Sequence, residues 1–131
     1  MKKILMVFSV LIFSCTTKID DRIFGEWNVQ SNFYRATYKI EKQSSKIVGK
    51  VLYYNDDTTV LHETGTDKDI FLKNLKFKEN KFVDAISGAT KTNKEAITIE
   101  VKHKDTLKVT SYVMHKPSIE IWTRKTITKP Q

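Results

Sequence analysis

Alternation with a period of two constrains this chain more than any other feature. Over Lys94–Lys102, Ile97, Ile99 and Val101 alternate with Thr98, Glu100 and Lys102. Over Tyr34–Glu41, Ala36, Tyr38 and Ile40 alternate with Arg35, Thr37 and Lys39. Over Lys46–Tyr54, Ile47, Gly49, Val51 and Tyr53 share one face, and over Thr106–Val113 so do Leu107, Val109 and Val113. In Ser118–Arg124, Ile119 and Ile121 stand opposite Glu120, Trp122 and Arg124. Successive side chains of a strand point to opposite sides, so this pattern is that of half-buried antiparallel strands.

The punctuation agrees. Polar turns fall at Gln43-Ser44-Ser45, Lys78-Glu79-Asn80, Gly88 to Asn93 and His103-Lys104-Asp105. Leu75 and Phe77, then Phe82 and Ile86, suggest two strands around the second of these. Strands recurring every 8–12 residues or so indicate an all-β sandwich or barrel. The gaps are too short for the crossover helices that parallel strands need. The expected fold is all-β, a single small antiparallel β-barrel of about eight to nine strands. The longest irregular stretch, Asn55 to Asp69, is acidic and is the expected mouth of any internal cavity.

A second signal precedes the strands. Lys2 and Lys3 are followed by an apolar run from Ile4 to Phe13, then Ser14 and Cys15, the only cysteine. The run is about half the 20 or so residues needed to span a bilayer. It has the layout of an export signal. Ile12-Phe13-Ser14-Cys15 resembles the lipobox of bacterial lipoproteins, in which the cysteine is diacylated and the preceding segment removed. That resemblance implies a bacterial envelope protein anchored to a membrane through lipid on Cys15, facing the periplasm or the cell surface. The expected organisation is 1–14 signal peptide, 15–23 lipidated Cys and tether, 24–125 β-barrel domain, and 126–131 C-terminal tail.

Removing residues 1–14 leaves one domain with 21 Lys and Arg against 15 Asp and Glu, a net charge of +6. For an exported protein this points away from nucleic acid and toward anionic lipid head groups or envelope polymers. It also has a plainer reading. Lys39, Lys50, Lys73, Lys76, Lys78, Lys81, Lys102, Lys104 and Lys108 are scattered at strand and turn positions, as on a solvated sheet face.

Gly25-Glu26-Trp27 at the start and Trp122-Thr123-Arg124 at the end bracket the domain. The pair is similar to the signature of lipocalin-like (calycin) barrels. That likeness implies that Trp27 on the first strand packs under Arg124 from the last, closing the barrel. The stretch from about Phe24 to Arg124 also resembles the small exported bacterial proteins grouped as domain of unknown function 2147. Tyr38-Lys39-Ile40-Glu41, Ile47-Val48-Gly49-Lys50-Val51, Leu107 to Val113 and Ile121-Trp122-Thr123-Arg124 carry the likeness. It implies a small antiparallel barrel and no particular activity.

Chemistry is sparse. There is no G-x-S-x-G elbow, H-E-x-x-H, P-loop or G-x-G-x-x-G. Without a second cysteine, thiol catalysis and Cys-ligated zinc are excluded. His103 and His115 read as turn residues. His62, Glu63, Asp67 and Asp69 are the only candidate metal ligands, and their spacing matches no known loop. No catalytic residue and no cofactor is expected. The aromatic residues either fill the barrel or line a pocket. A small apolar ligand is expected between Trp27, Tyr38, Tyr53, Ile97, Ile99 and Val101. The expected role is a monomeric, non-enzymatic binding module for an apolar molecule or envelope component. The alternative is an accessory envelope protein with a filled barrel, acting through protein contacts.

One acyl chain holds a protein to a membrane only marginally, and two hold it stably. Cys15→Ser is therefore expected to shift the protein from the membrane fraction to the soluble fraction, or to leave it unprocessed. Fractionation with an immunoblot checks this.

Overall fold

The computed structural model describes residues 18–84 and 96–126. Cys15, the expected signal segment 1–14, the turn expected at Gly88 to Asn93, Ile86 and residues 127–131 of the expected tail lie outside the described residues. Ten strands form one antiparallel sheet: β1 (Gly25–Gln30), β2 (Arg35–Gln43), β3 (Lys46–Asn55), β4 (Val60–His62), β5 (Ile70–Leu72), β6 (Leu75–Lys78), β7 (Lys81–Asp84), β8 (Ile97–His103), β9 (Thr106–Val113) and β10 (Lys116–Arg124). Nine of them run in the order β4-β3-β2-β1-β10-β9-β8-β7-β6, and β5 pairs with β3 beside β4. The sheet curls through 208°, a half-barrel. The expected small, barrel-like, all-β fold is what the chain adopts.

Tight turns set the register. Glu79 and Asn80 both take positive φ between the paired Lys78 and Lys81, as do Met114 and His115 between Val113 and Lys116. Positive φ at both central residues gives a hairpin turn whose twist matches the strands. The free edges are blunted. β4 has only three residues, and β6 carries Lys76 and Lys78.

The concave face holds the core. Trp27, Val29, Ala36, Tyr38, Ile40, Phe82, Ile99, Leu107, Val109 and Trp122 are all buried in one cluster. Gly49 on β3 lets β5 close in: a Cβ there would lie 2.8 Å from Leu72 Cδ1.

Three expectations need correction. On β10 the faces are reversed: Trp122 is buried, whereas Ile119 and Ile121 are more than half exposed. Residues two apart share a face, and Arg124 lies over the concave-side Trp27, so Trp122 must point inward with it. On β3, a register shift opposite Thr37/Tyr38 inserts Leu52 as an extra residue. Val51 pairs with the inward Tyr38, but Tyr53 pairs with the outward Thr37, and Tyr54 takes the inward place opposite Ala36. Finally, residues 19–23 are not a loose tether. Asp20 caps a 3-10 turn over Asp21–Ile23, Ile23 is wholly buried, and Ile19 packs on the core.

That turn is held by Trp27 and Arg124. The Trp27 indole Nε1 donates to Ile23 O at 2.9 Å. The Arg124 guanidinium carbon sits 4.3 Å from the centre of the Trp27 ring. The same guanidinium donates to the carbonyls of Phe24 (2.9 Å), Arg22 (2.6 Å) and Lys104 (2.8 and 2.9 Å). Gly25 makes room: its φ is +133°, and a Cβ would lie 2.5 Å from Arg124 Nη1.

Arg124→Ala is expected to cost about 2–3 kcal/mol, from lost stacking and from hydrogen bonds to a charged donor. Arg124→Lys should recover only part of this, because an ammonium cannot fork to three carbonyls. Gly25→Ala should cost about 1–3 kcal/mol from backbone strain alone. Urea unfolding of each variant gives the values.

Candidate functional site

β1 and β10 are laddered only at Trp27↔Arg124 and Asn28↔Thr123. Beyond that point the strands part. The reason is local: β1 stops at Gln30, where the Ser31 hydroxyl accepts from the Phe33 and Tyr34 backbone N–H groups and turns the chain. Ser31 N donates to Tyr34 O at 2.9 Å, closing that turn. β10 continues alone on this side, paired only with β9. The gap is a groove at the pole opposite Arg124.

Two adjoining hollows make up the groove. One, of about 470 Å³, lies between residues 29–34 and 118–121. The other, of about 760 Å³, lies between Phe33 and the β9–β10 hairpin tip at Val113, Met114 and Pro117. They share Phe33, Tyr34, Ser118 and Glu120. Their rim is unusually apolar for a surface: Phe33 is 85% exposed, Met114 88%, Val113 61% and Ile119 58%. Met114 and His115 also hold left-handed backbone angles, φ 50° and 67°, that favour Gly or Asn. Such a conformation costs roughly 1–2 kcal/mol per residue.

The floor of the groove is polar and aromatic. The Tyr34 hydroxyl donates to Glu120 Oε2. Tyr34 stacks on Tyr54 at 5.3 Å, and the Tyr54 hydroxyl donates to Asp56 at 3.1 Å. Below lie Tyr38, Phe71 and Trp122, with ring centres 4.5–6.4 Å apart. The Trp122 indole nitrogen is buried with no hydrogen-bond partner among the described residues. Burial pushes the Tyr34 phenol far above its ordinary range, and the bond to Glu120 adds to this. Burial likewise pushes Tyr38 up to about 12. Both phenols are therefore neutral hydrogen-bonding groups at neutral pH. This arrangement can hold a polar atom at the base of an apolar surface.

The residues expected to line a ligand pocket do not form one wall. Trp27, Tyr38 and Ile99 are packed in the core, with Ile97 and Val101 against them. Tyr53 is on the convex face, where its ring meets His62 at 5.5 Å. Trp27 and Arg124, by contrast, are brought together as the calycin likeness implies. The expected mouth at residues 55–69 is folded against β3 as β4 and a 3-10 turn, Asp67–Asp69. Asp69 is turned into its own loop. Burial raises its pKa, but hydrogen bonds from Thr64 and Thr66 outweigh this and hold it below the usual carboxylate range. The Thr58 hydroxyl and the Thr59 N–H hold Asp56 down to about 2. No group of three or more His, Cys, Asp or Glu side chains converges among the described residues. His62 and Asp69 therefore make no joint site with Glu63 and Asp67.

The sequence offered Phe33 and Tyr34 only among the aromatic residues that fill the barrel or line a pocket, and did not join them to Met114 and Glu120. One available signal was the Met114-His115 pair at a hairpin turn without Gly or Asn. Comparison with protein-family models, with curated proteins and with solved structures finds no match for this chain.

An unfolded tyrosine ionises near pH 10. The fold keeps Tyr38 protonated to about 12. Between these values the unfolded chain binds fewer protons than the folded one, so stability is complete below pH 10 and falls as pH rises to 12. Tyr38→Phe is expected to flatten this alkaline decline, measured by urea unfolding at stepped pH.

Proposed function

We propose that this is a lipid-anchored protein of the bacterial envelope that works, without catalysis, by binding another protein along the groove between β1 and β10. The observation that carries this reading is where the apolar surface lies. The concave side of the sheet is filled by its own side chains, with Trp27, Phe82, Ile99 and Leu107 all at 0% exposure. Five of the eight large exposed apolar residues among those described, Phe33, Val113, Met114, Ile119 and Ile121, gather instead on one open groove, and Val60, Leu61 and Tyr112 line neither of its hollows. A carrier of small greasy molecules needs an enclosed apolar volume. A protein-binding surface needs an exposed apolar patch with a few polar anchors, and Tyr34 and Glu120 are such anchors.

The groove also suits an extended chain. Along Ser118–Ile121, β10 is laddered on one side only, to β9. A strand edge next to an apolar wall accepts a partner strand, with main-chain bonds giving affinity and side-chain pockets giving selection. The lipobox-like Ile12 to Cys15 supports the anchor. The calycin likeness adds support for the fold but none for a particular ligand.

A photoreactive residue placed at Met114 in intact cells should give a discrete protein adduct, and one at Thr37 on the convex face should give none. Phe33→Ser and Ile121→Asp should each weaken the Met114 adduct about tenfold, the effect of losing one buried apolar anchor worth about 1.4 kcal/mol. A thermal shift of the purified protein by fatty acids or isoprenoids, with no adduct at Met114, would restore the small-ligand reading.

A further inference from the structure

We infer that the pole of the half-barrel around Arg124 docks on the anionic head groups of the membrane that holds the protein, which turns the groove away from that membrane. This rests on the lipid anchor at Cys15 proposed above, and adds an orientation to it.

The topology places the described N-terminus at this pole. Lys18 to Arg22 line an open hollow together with Phe77 and Asn80, near the β6–β7 turn. The turns at 43–46 and 103–106 and the end of β10 lie at the same end, because β1 begins here and β2, β8 and β10 finish here. Ile19 and Ile23 are packed into the fold, so only residues 16–18 separate Cys15 from it. Four Cα steps span at most about 14 Å. A lipid on Cys15 therefore brings this end of the domain, and no other, against the head groups.

The charge distribution matches that placement. Residues 18–25, 42–46, 78–81, 102–106 and 124–126 carry ten Lys and Arg. Against them stand Asp20, Asp21, Glu79 and Asp105, and Glu100 in the adjoining strand, a net of +5. Lys18, Lys42, Lys46, Lys78, Lys104 and Lys125 are exposed and make no ion pair among the described residues. The described residues of the opposite pole differ. Residues 30–35, 55–60 and 113–120 carry Arg35 and Lys116 against Asp56, Asp57 and Glu120, a net of −1. Along the strands, Lys39 and Lys50 contact Glu41, and Lys108 contacts Glu100.

Anionic lipid attracts a basic surface within about a Debye length, which is roughly 10 Å at 0.1 M salt. The leash keeps the six unpaired lysines near that range. A single lipid signal combined with a basic patch is a stronger membrane attachment than either alone. The groove runs from Ile121, three residues along β10 from Arg124, to the hairpin tip, so at about 3.3 Å per residue it stands roughly 10–25 Å above the basic pole.

The chain has one cysteine, so once Cys15 is acylated an introduced cysteine is the only reactive thiol. The test uses the full lipidated protein, purified from membranes and reconstituted into vesicles with head-group spin-labelled lipid as quencher. A fluorophore is attached through Ser45→Cys at the basic pole or Asn32→Cys at the groove. With phosphatidylglycerol in the vesicles, the label at 45 should be strongly quenched and the label at 32 should not. The quenching at 45 should weaken in pure phosphatidylcholine, in salt of about 1 M, where the Debye length falls to about 3 Å, and in Lys46→Glu/Lys104→Glu. Equal quenching of both sites in both lipid mixtures, with the protein still floating with the vesicles, would overturn the orientation and leave the anchor standing. A position-15 thiol that still reacts, on a protein that does not float, would overturn the anchor and the orientation with it.

Discussion

One guanidinium organises the lower half of this molecule. Arg124 lies on the Trp27 indole and donates to three carbonyls from two separate segments, 22–24 and 104. A half-barrel lacks the continuous ladder that would hold a closed one together, so its curvature depends on contacts across the concave side. The Arg124 contact ties the first strand, the last strand, the β8–β9 turn and the chain that precedes the sheet. Gly25 is the consequence: no other residue combines its backbone angle with a guanidinium where its Cβ would stand. The Gly-x-Trp and the distant arginine are thus one device. Each residue of it is meaningless without the others, and this is why the same combination marks a fold rather than a reaction.

The same contact explains where reading the sequence succeeded and where it failed. Alternation placed Ala36, Tyr38, Ile40, Ile99, Leu107 and Val109 on the buried face because those strands carry one consistent signal. β10 carries two that conflict. Ile119 and Ile121 argue for one face, and Arg124 over Trp27 argues for the other. Residues 119 and 121 differ in parity from 124, so both cannot be right. Burying Trp122 and seating Arg124 outweighs burying two isoleucines, given the area of an indole and the carbonyls that the guanidinium satisfies. The expense is two large aliphatic side chains left in water, and they stand beside the groove. A conflict between local pattern and global fold is where a functional surface is expected to show.

The rest of the site was hidden for a different reason. Register shifts are not written in composition. Leu52 is the extra residue on β3, and nothing in Val51-Leu52-Tyr53-Tyr54 says which of two adjacent tyrosines will turn inward. Tyr54 does, and it stacks on Tyr34 and so carries the groove floor. Tyr34 in turn meets Glu120 across 86 residues of sequence. Pairings of that range arise only when the sheet curls, and an isolated glutamate in a strand of alternating polarity reads as a solvated one.

Filling the barrel and opening the groove are linked by geometry. Trp27, Trp122, Phe82, Tyr38 and Phe71 occupy the space that a lipocalin-like barrel would leave for a ligand. Aromatic side chains of 150–250 Å² or so each can close a small core without disulfides. A core so filled is stiff. Stiffness lets β1 and β10 be clamped at one end and kept apart at the other, by Arg124 below and by the Ser31–Tyr34 turn above. Two adjacent antiparallel strands would gain by zipping further, since each added ladder pair satisfies backbone groups, but the Ser31–Tyr34 turn draws β1 away after Gln30. With it, the Tyr34–Glu120 contact takes the place of the missing ladder at the wide end and props the strands open. The groove is therefore a built feature of the fold, set by a cation on an indole at one pole and a phenol on a carboxylate at the other. Such a cleft keeps its shape whether or not a partner occupies it, so little ordering entropy remains to oppose binding.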